Sequence, residues 1–114
     1  SPIYSHDARL LLSRAGAALD IFRCPAEVSD RLASAIGDVA KDAFKALDVR
    51  DWCRIDVRLD SSGVPHVIEL NPLPGILKEG EAASCLPMAA AAASMDFSSL
   101  VNGVVDIARS RYGL

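Results

Sequence analysis

Two stretches of alternating apolar and polar residues, separated by a short turn, constrain the fold of this chain most. Apolar side chains occupy every second position in residues 52–59, and residues 66–71 alternate in the same way. The connection begins with Asp60-Ser61-Ser62-Gly63, a composition typical of tight turns. The pattern therefore predicts a β-hairpin.

The register of this hairpin follows from the length of its loop. A four-residue loop over residues 61–64 predicts three cross-strand pairs: Asp60–Pro65, Asp56–Glu69 and Arg54–Asn71. Strict alternation places Val67 on the same face as Glu69 and Asn71, with His66, Ile68 and Leu70 on the other face.

Helices are predicted on both sides of the hairpin. Before it, apolar residues recur at steps of three and four over residues 26–47, with Pro25 or Ser29 near the start of the helix. The stripe comprises Leu32, Ile36, Val39, Ala43 and Leu47. After it, Pro87 suits the first turn of a helix that ends near Ser94. Asp96 can cap a last helix with a buried stripe formed by Leu100, Val101, Val104, Ile107 and Ala108.

Length and composition indicate one globular domain over residues 1–114. The net charge of −3 argues against nucleic acid or an anionic membrane as a partner. Cys24, Cys53 and Cys85 form no Cys-x-x-Cys motif, and we expect them to be small buried hydrophobic residues in a reducing compartment. No signal peptide or membrane span is evident, so we expect a cytoplasmic protein.

The polar face of the predicted hairpin carries two carboxylates within two rungs. Opposed residues on one face have Cβ atoms about 4.5–5.5 Å apart, so Asp56 and Glu69 need a cation between them. Arg54 and Arg58 could supply that charge as a cross-strand salt-bridge network on a solvated sheet. Alternatively, two carboxylates with the amide oxygen of Asn71 form an all-oxygen set of the kind that Mg²⁺ prefers. The spacing alone leaves both interpretations open.

The residues directly after these candidate ligands favour a built site. Pro72 and Pro74 stiffen the backbone, while Gly75 permits close approach or a positive φ angle. A rigid turn that ends in a glycine N–H can present a donor to a developing oxyanion. The alternative interpretation is a simple strand terminator.

Two motifs carry a resemblance to a known family. Arg54-Ile55-Asp56-Val57 followed by Glu69-Leu70-Asn71-Pro72-Leu73-Pro74-Gly75 resembles the C-terminal part of ATP-grasp enzymes of the D-alanine–D-alanine ligase type. That family carries Arg-x-Asp on one strand and Glu-x-Asn-(Thr/Pro)-x-Pro-Gly on the next. The resemblance extends over about residues 19–110 and is most specific over residues 52–75. It implies an α+β fold, an antiparallel β-sheet with helices packed on one side.

The resemblance also implies roles for individual residues. Asp56, Glu69 and Asn71 would hold one or two Mg²⁺ ions (or Mn²⁺) that bridge the phosphates of ATP. Arg54 would stabilise the charge of an acyl-phosphate and a tetrahedral species, and the amide of Gly75 would assist. Two further residues have implied contacts: Ser84 with the carboxylate of the second amino acid, and Arg9 with a nucleotide phosphate.

At the level of the whole protein, the resemblance implies a ligase that joins two amino acids into a dipeptide for peptidoglycan biosynthesis. The sequence departs from the family where Leu10 replaces a tyrosine, and in the charged loop over residues 76–83. The family's phosphate-binding lysines have no match here. We therefore expect a C-terminal lobe that needs the other domains of its full-length chain, is inactive by itself and could form a homodimer.

Two other interpretations remain open at this stage. The chain could be a binding or regulatory module derived from an ATP-grasp lobe, without catalytic activity. It could also be a plain α/β structural domain whose acidic face is solvated. The retention of Arg54, Asp56, Glu69, Asn71 and Gly75 argues mildly against a loss of function.

Overall fold

The computed structural model describes residues 23–76 and 84–114 of the chain. In chain order, its elements are α1 (Asp30–Ala46), β1 (Arg54–Leu59), β2 (Pro65–Asn71), α2 (Cys85–Ala92) and α3 (Phe97–Tyr112). The strands form a two-stranded antiparallel sheet. The predicted α+β class and the predicted hairpin are confirmed.

The chain divides into two compact units. Among the described residues, one unit comprises residues 23–27, 75–76 and 84–97, and therefore contains α2. The other comprises Val28–Pro74 and Ser98–Leu114, and contains α1, the hairpin and nearly all of α3. The expectation of a single domain over residues 1–114 stays a prediction.

Helix α1 begins directly after a serine that caps it. Ser29 is the N-cap, and its Oγ accepts a hydrogen bond from the backbone N of Leu32 at 3.1 Å. This confirms Ser29, rather than Pro25, as the start signal. The helix packs against both strands, and its predicted stripe is half-buried from Leu32 to Ala43. Leu47 is 65% exposed, contrary to prediction, because it is the C-cap and lies beyond the last helical turn.

A tight turn ends α1 and leads the chain toward β1. The N–H of Val49 donates to the carbonyl of Phe44 at 3.0 Å, and that of Asp48 donates to Lys45 at 3.1 Å. This pair of bonds is a Schellman motif. Asp48 occupies the left-handed position that glycine usually takes, with a φ of 52°.

The hairpin loop is held by the side chain of its first residue. Asp60 Oδ1 accepts hydrogen bonds from the amides of Ser62 at 2.8 Å and Val64 at 3.0 Å. Gly63 has a φ of 79°, a conformation that the absence of a Cβ makes inexpensive. The N–H of Asp60 donates to the carbonyl of Val64 at 2.9 Å, which closes the loop.

A bulge in β2 changes the predicted register over half of the hairpin. The observed pairs are Arg54–Asn71, Ile55–Leu70, Asp56–Glu69, Val57–Val67, Arg58–His66 and Leu59–Pro65. The pairs that contain the candidate site residues are therefore as predicted. The predicted pairing of Asp60 with Pro65 is wrong, because Asp60 belongs to the loop and Pro65 pairs with Leu59. Further along β2, Ile68 is the extra residue of the bulge and has no partner on β1.

The bulge also corrects the predicted faces of β2. His66 lies opposite Arg58, on the polar face, whereas Val67 is half-buried and lies opposite Val57. Ile68, predicted to share a face with His66 and Leu70, is the unpaired residue of the bulge and is 65% exposed. A bulge shifts the side-chain alternation by one residue, which period-two counting cannot anticipate.

The two C-terminal helices form where predicted, with small differences. Pro87 lies in the first turn of α2, and the helix ends at Ala92 with Ala93 as its C-cap. Helix α3 begins directly after Asp96, and Leu100 is its buried residue, 8% exposed. Ile107 is 53% exposed, contrary to prediction, because a periodic stripe is buried only where a neighbouring element covers it.

Within residues 23–76 and 84–114, no single helix is both long and apolar enough to cross a membrane. Helices α2 and α3 meet that criterion only when they are taken together across a bend.

Candidate functional site

The first strand places an arginine and an aspartate on the same side of the sheet. Arg54 and Asp56 are two residues apart on β1, so their side chains point to the same face. Asp56 lies opposite Glu69 on β2, and Arg54 lies opposite Asn71. The structure therefore brings these four candidate residues together on one face, in two pairs separated by the pair Ile55–Leu70.

The guanidinium of Arg54 joins the two carboxylates. Its Nε donates to Asp56 Oδ1 at 2.9 Å, and its Nη2 donates to Asp56 Oδ2 at 3.1 Å. The same Nη2 lies 3.3 Å from Glu69 Oε1. The Arg54 side chain is 22% exposed, against 44% for Asp56 and 57% for Glu69. A bidentate, partly desolvated pair of this kind is stronger than an ordinary surface salt bridge.

Of the two arginines considered in the sequence, Arg54 provides the cation. Arg58 is exposed and lies two pairs beyond Asp56–Glu69 along the hairpin, opposite His66. A cross-strand salt-bridge network is thus present at one of the two predicted positions. Its presence does not exclude a metal site, because an arginine and a metal ion can use the same carboxylate oxygens in turn.

The donor chemistry of this face fits Mg²⁺. In the described part of the chain, no group of three or more His, Cys, Asp or Glu side chains could hold a metal ion. Mg²⁺, however, is commonly bound by one or two carboxylates together with substrate phosphates and water. Asp56 and Glu69 supply two carboxylates, and Asn71 supplies a carboxamide oxygen beside them.

The carboxamide of Asn71 is oriented by the turn that follows it. Its Oδ1 accepts a hydrogen bond from the backbone N of Leu73 at 3.1 Å. An amide oxygen has a second lone pair, so this bond fixes the direction of Oδ1 and still leaves capacity for another contact. Pro74 is buried, which anchors the end of the turn. Pro72 and Pro74 thus support the orientation of a candidate ligand in addition to ending the strand.

Gly75 lies close to Ser84 within the other unit. A Cβ placed on Gly75 would lie 3.0 Å from Ser84 Oγ and 3.7 Å from Ser84 Cβ. Positive φ angles among the described glycines occur at Gly63 and Gly113. Of the two reasons considered for a glycine here, the structure supports close approach. Ser84 is the N-cap residue of α2, so Gly75 lies close to the start of this helix.

The thiol of Cys53 lies next to Arg54, directly before β1. Its Sγ lies 3.4 Å from the carbonyl of Arg54, and burial raises the pKa of the Cys53 thiol above its ordinary value. The Cys53 side chain is half-buried, broadly as expected, whereas Cys24 and Cys85 are exposed, contrary to expectation. Cys24 Sγ lies 3.6 Å from the carbonyl of Met88 in α2, and Cys85 is the first residue of that helix.

The predicted site residues fall into three sets. Arg54, Asp56, Glu69 and Asn71 lie in the unit that contains the hairpin, and Gly75 and Ser84 lie in the unit that contains α2. Arg9, predicted to contact a nucleotide phosphate, lies outside the described residues.

The ion pair between Arg111 and Asp51 could not be predicted from the sequence. Arg111 Nη2 donates to Asp51 Oδ2 at 2.8 Å, and Arg111 Nε donates to Asp51 Oδ1 at 3.3 Å. These residues are sixty positions apart, so neither helical nor strand periodicity relates them. The hydrogen bonds that Arg111 donates to Asp51 raise the pKa of Arg111 above its ordinary value.

Comparison with known proteins places the chain in a family. Residues 3–106 match the family model described as the D-ala D-ala ligase C-terminus. The D-alanine–D-alanine ligase of Dichelobacter nodosus is 33% identical over 102 residues, which cover 90% of this chain and 30% of that protein. The ligase of Bordetella petrii is 37% identical over 82 residues, which cover 72% of this chain and 24% of that protein.

A third relative bears a name that assigns no activity. The uncharacterized protein y4sG of Sinorhizobium fredii is 40% identical over 89 residues, which cover 78% of this chain and 25% of that protein. The matched part of the chain thus spans 24 to 30% of the length of these relatives. With its α+β hairpin fold and the match over residues 3–106, the chain belongs to the D-alanine–D-alanine ligase C-terminal family of the ATP-grasp superfamily.

Proposed function

We propose that this chain forms the C-terminal lobe of an ATP-dependent carboxylate–amine ligase that makes a dipeptide, in the manner of the D-alanine–D-alanine ligases. The observation that carries the proposal is the cluster of Arg54, Asp56 and Glu69, in which one guanidinium bonds to two opposed carboxylates. Family membership supports the ligase class, and this cluster supports the use of Mg-ATP.

In this proposal, Asp56, Glu69 and Asn71 hold one or two Mg²⁺ ions. When bound, the metal neutralises charge on the phosphates and orients them for transfer. The chain contributes a preformed face: the two carboxylates are fixed by strand pairing, and the Asn71 oxygen is fixed by the amide of Leu73. Mn²⁺ prefers similar oxygen ligands and would serve as a substitute.

Arg54 has a double role in this proposal. Without metal, it neutralises the two carboxylates and keeps them in place. With Asp56 and Glu69 as ligands of a metal ion, Arg54 would direct N–H groups to the reacting phosphate and carbonyl. A fixed cation beside developing negative charge lowers the barrier, because it needs no reorganisation during the reaction.

The proposed reaction has two steps. A carboxylate oxygen of the first amino acid attacks the γ-phosphorus of ATP, the bond from that phosphorus to the bridging oxygen breaks, and ADP leaves. The neutral amine of the second amino acid then attacks the acyl carbon of this acyl-phosphate. The bond from the acyl carbon to the phosphate oxygen breaks, and the proton that the amine nitrogen loses as the peptide bond forms goes to the released phosphate.

The remaining roles follow the family pattern. The amide of Gly75 would donate to the tetrahedral oxyanion, and Ser84 would bind the carboxylate of the second amino acid. Arg9 would contact a phosphate of the nucleotide. A cytoplasmic setting, a role in peptidoglycan biosynthesis, a homodimer and dependence on the other domains of the full-length protein belong to the same proposal.

Phosphate release by the complete natural protein tests this function. With ATP, Mg²⁺ and D-alanine, we expect phosphate release that matches dipeptide formation, and almost complete loss of both in Asp56→Asn. The control is Asp38→Asn, which removes a carboxylate from the exposed face of α1 and should change neither rate. Binding of Mg-ATP without phosphate release, with any amino acid as acceptor, would favour a non-catalytic module instead.

A further inference from the structure

The ion pair between Asp51 and Arg111 links the end of the last helix to the segment that directly precedes β1, the strand that begins at Arg54. Both carboxylate oxygens of Asp51 accept hydrogen bonds from one guanidinium, at 2.8 and 3.3 Å. The side chains are well covered for a charged pair, at 17% exposed for Asp51 and 29% for Arg111. A bidentate pair fixes both distance and angle, so it constrains the backbone on either side.

The helix side of this link is rigid. Arg111 lies in the last turn of α3, which ends in a Schellman motif: Gly113 has a φ of 72°, and the N–H of Leu114 donates to the carbonyl of Arg109 at 2.9 Å. The guanidinium carbon of Arg111 lies 4.4 Å from the centre of the Tyr112 ring, a cation–π contact that further limits its positions.

The strand side of the link has an uncommon backbone conformation. Asp51 has a φ of 66°, and the N–H of Trp52 donates back to the carbonyl of Arg50 at 2.8 Å. A left-handed aspartate is tolerated but is not the preferred state, so the bonds to Arg111 help to maintain it. Three residues later, Arg54 begins β1 and reaches both carboxylates of the candidate site.

We propose that Arg111 and Asp51 are positioning residues, which hold the entry to β1 so that the Arg54 guanidinium stays between Asp56 and Glu69. The expected effect on the reaction rate rests on the proposed function. The expected effect on the position of the Arg54 guanidinium rests on the structure alone. Neither residue touches the two carboxylates of the site; both act through the backbone from Asp51 to Arg54.

The chain offers a closely matched control for this proposal. Asp48 is also left-handed, with a φ of 52°, and its carboxylate also bonds to an arginine, Arg50, at 3.1 Å. That pair is local and exposed, and it makes no link to α3. Glycine at either position accepts a positive φ without strain, so Asp51→Gly and Asp48→Gly differ mainly in the loss of the link to Arg111.

Nuclear magnetic resonance of the complete natural protein tests the geometric part. Hydrogen exchange at Arg54 Nε, assigned with Arg54→Lys, reports whether its bond to Asp56 persists. In Asp51→Gly we expect exchange to accelerate by about tenfold or more, the factor that corresponds to the loss of one charge-assisted hydrogen bond. Asp48→Gly should leave it unchanged. Equal exchange rates in the two glycine variants would overturn the proposal.

Asp51→Asn is the variant to use if Asp51→Gly fails to fold. It keeps one acceptor oxygen and tolerates the left-handed conformation, so we expect an intermediate acceleration of exchange.

Kinetics test whether the positioning matters for the reaction. Asp51→Gly should lower kcat by about 10- to 100-fold with little change in the KM for ATP, the pattern of a misplaced transition-state group. In an Arg54→Ala background, the same substitution should have no further effect, since both act through one guanidinium. A full additional loss in that background would overturn the proposal. If the wild-type protein releases no phosphate, the proposed function fails, while the exchange measurement at Arg54 still decides the positioning role.

Discussion

Asp56 and Glu69 lie directly opposite one another on the hairpin, and the Arg54 guanidinium donates hydrogen bonds to both carboxylates. Two opposed carboxylates would destabilise the sheet without a cation. The arginine supplies this charge in the structure, and in the proposed function a divalent ion would compete with it for the same oxygens. Arg54 is therefore a structural counter-ion and, in the proposed function, also a reactive group.

This competition predicts opposite effects of one substitution on metal binding and on turnover. Arg54→Gln removes the competing cation, so the affinity of the nucleotide-free protein for Mg²⁺ should rise by about tenfold or more, the scale of a lost charge-assisted bond. Phosphate release with ATP should nevertheless fall. Isothermal titration with Mg²⁺ and a phosphate assay measure the two effects.

Arg58→Gln is the control for that experiment, because Arg58 lies on the same strand and face but opposite His66. It should alter neither property. Weaker Mg²⁺ binding in Arg54→Gln would contradict the idea that arginine and metal use the same oxygens.

The close approach of Gly75 and Ser84 predicts a specific steric effect. In Gly75→Ala the new methyl lies 3.0 Å from Ser84 Oγ, so the serine has to move, and we expect destabilisation of about 1 kcal/mol. Ser84→Ala leaves the nearest side-chain atom at an ordinary 3.7 Å. The double variant should therefore be less destabilised than the sum of the two single variants. Urea unfolding of all four proteins checks this, and strict additivity would count against the contact.

The hairpin loop predicts a pH-dependent stability. The hydrogen bond from His66 holds the pKa of Asp60 below its ordinary value of 3.8, with further help from the amides of Val64 and Ser62. Because this pKa is lowered by folding, the stabilisation is fully present above about pH 4 and is lost as the pH falls through the folded-state pKa.

Asp60→Asn keeps an acceptor oxygen for the two amides but removes the charge and its titration. The stability difference between wild type and this variant should be constant from about pH 5 to 6 and should shrink below about pH 4. Urea midpoints between these pH values measure it. A difference that grows on acidification would have the wrong sign for this account.

The rungs that carry the candidate site could be predicted from the sequence, although the predicted loop was wrong. Counting from a loop over residues 61–64 gave Asp56–Glu69 and Arg54–Asn71, and both pairs are present. The loop is one residue longer on the β1 side, since Asp60 belongs to it, and the bulge at Ile68 adds one residue to β2. The longer loop shifts the pairing by one residue, and the bulge shifts it back by one residue. The pairs on the far side of the bulge therefore have the predicted register.

Local patterns could not predict the features that depend on distant residues. Ser29 was a recognisable cap, because capping is decided within three residues. The ion pair of Asp51 with Arg111 joins positions sixty apart, and the left-handed conformations of Asp48 and Asp51 lack the glycine that would signal them. The exposure of Leu47 and Ile107 depends on which surfaces their neighbours cover, which periodicity does not specify.

Metal binding by the hairpin face tests the central claim most directly. Mn²⁺ can be titrated into the complete natural protein with ATP present, and the bound ion can be followed by electron paramagnetic resonance. Wild type should bind Mn²⁺ with ATP, and Glu69→Gln and Asp56→Asn should each weaken binding by about tenfold or more, since each removes a charged ligand. Asp38→Asn should bind like wild type. Equal Mn²⁺ affinity in wild type and both site variants would contradict the assignment of Asp56 and Glu69 as metal ligands.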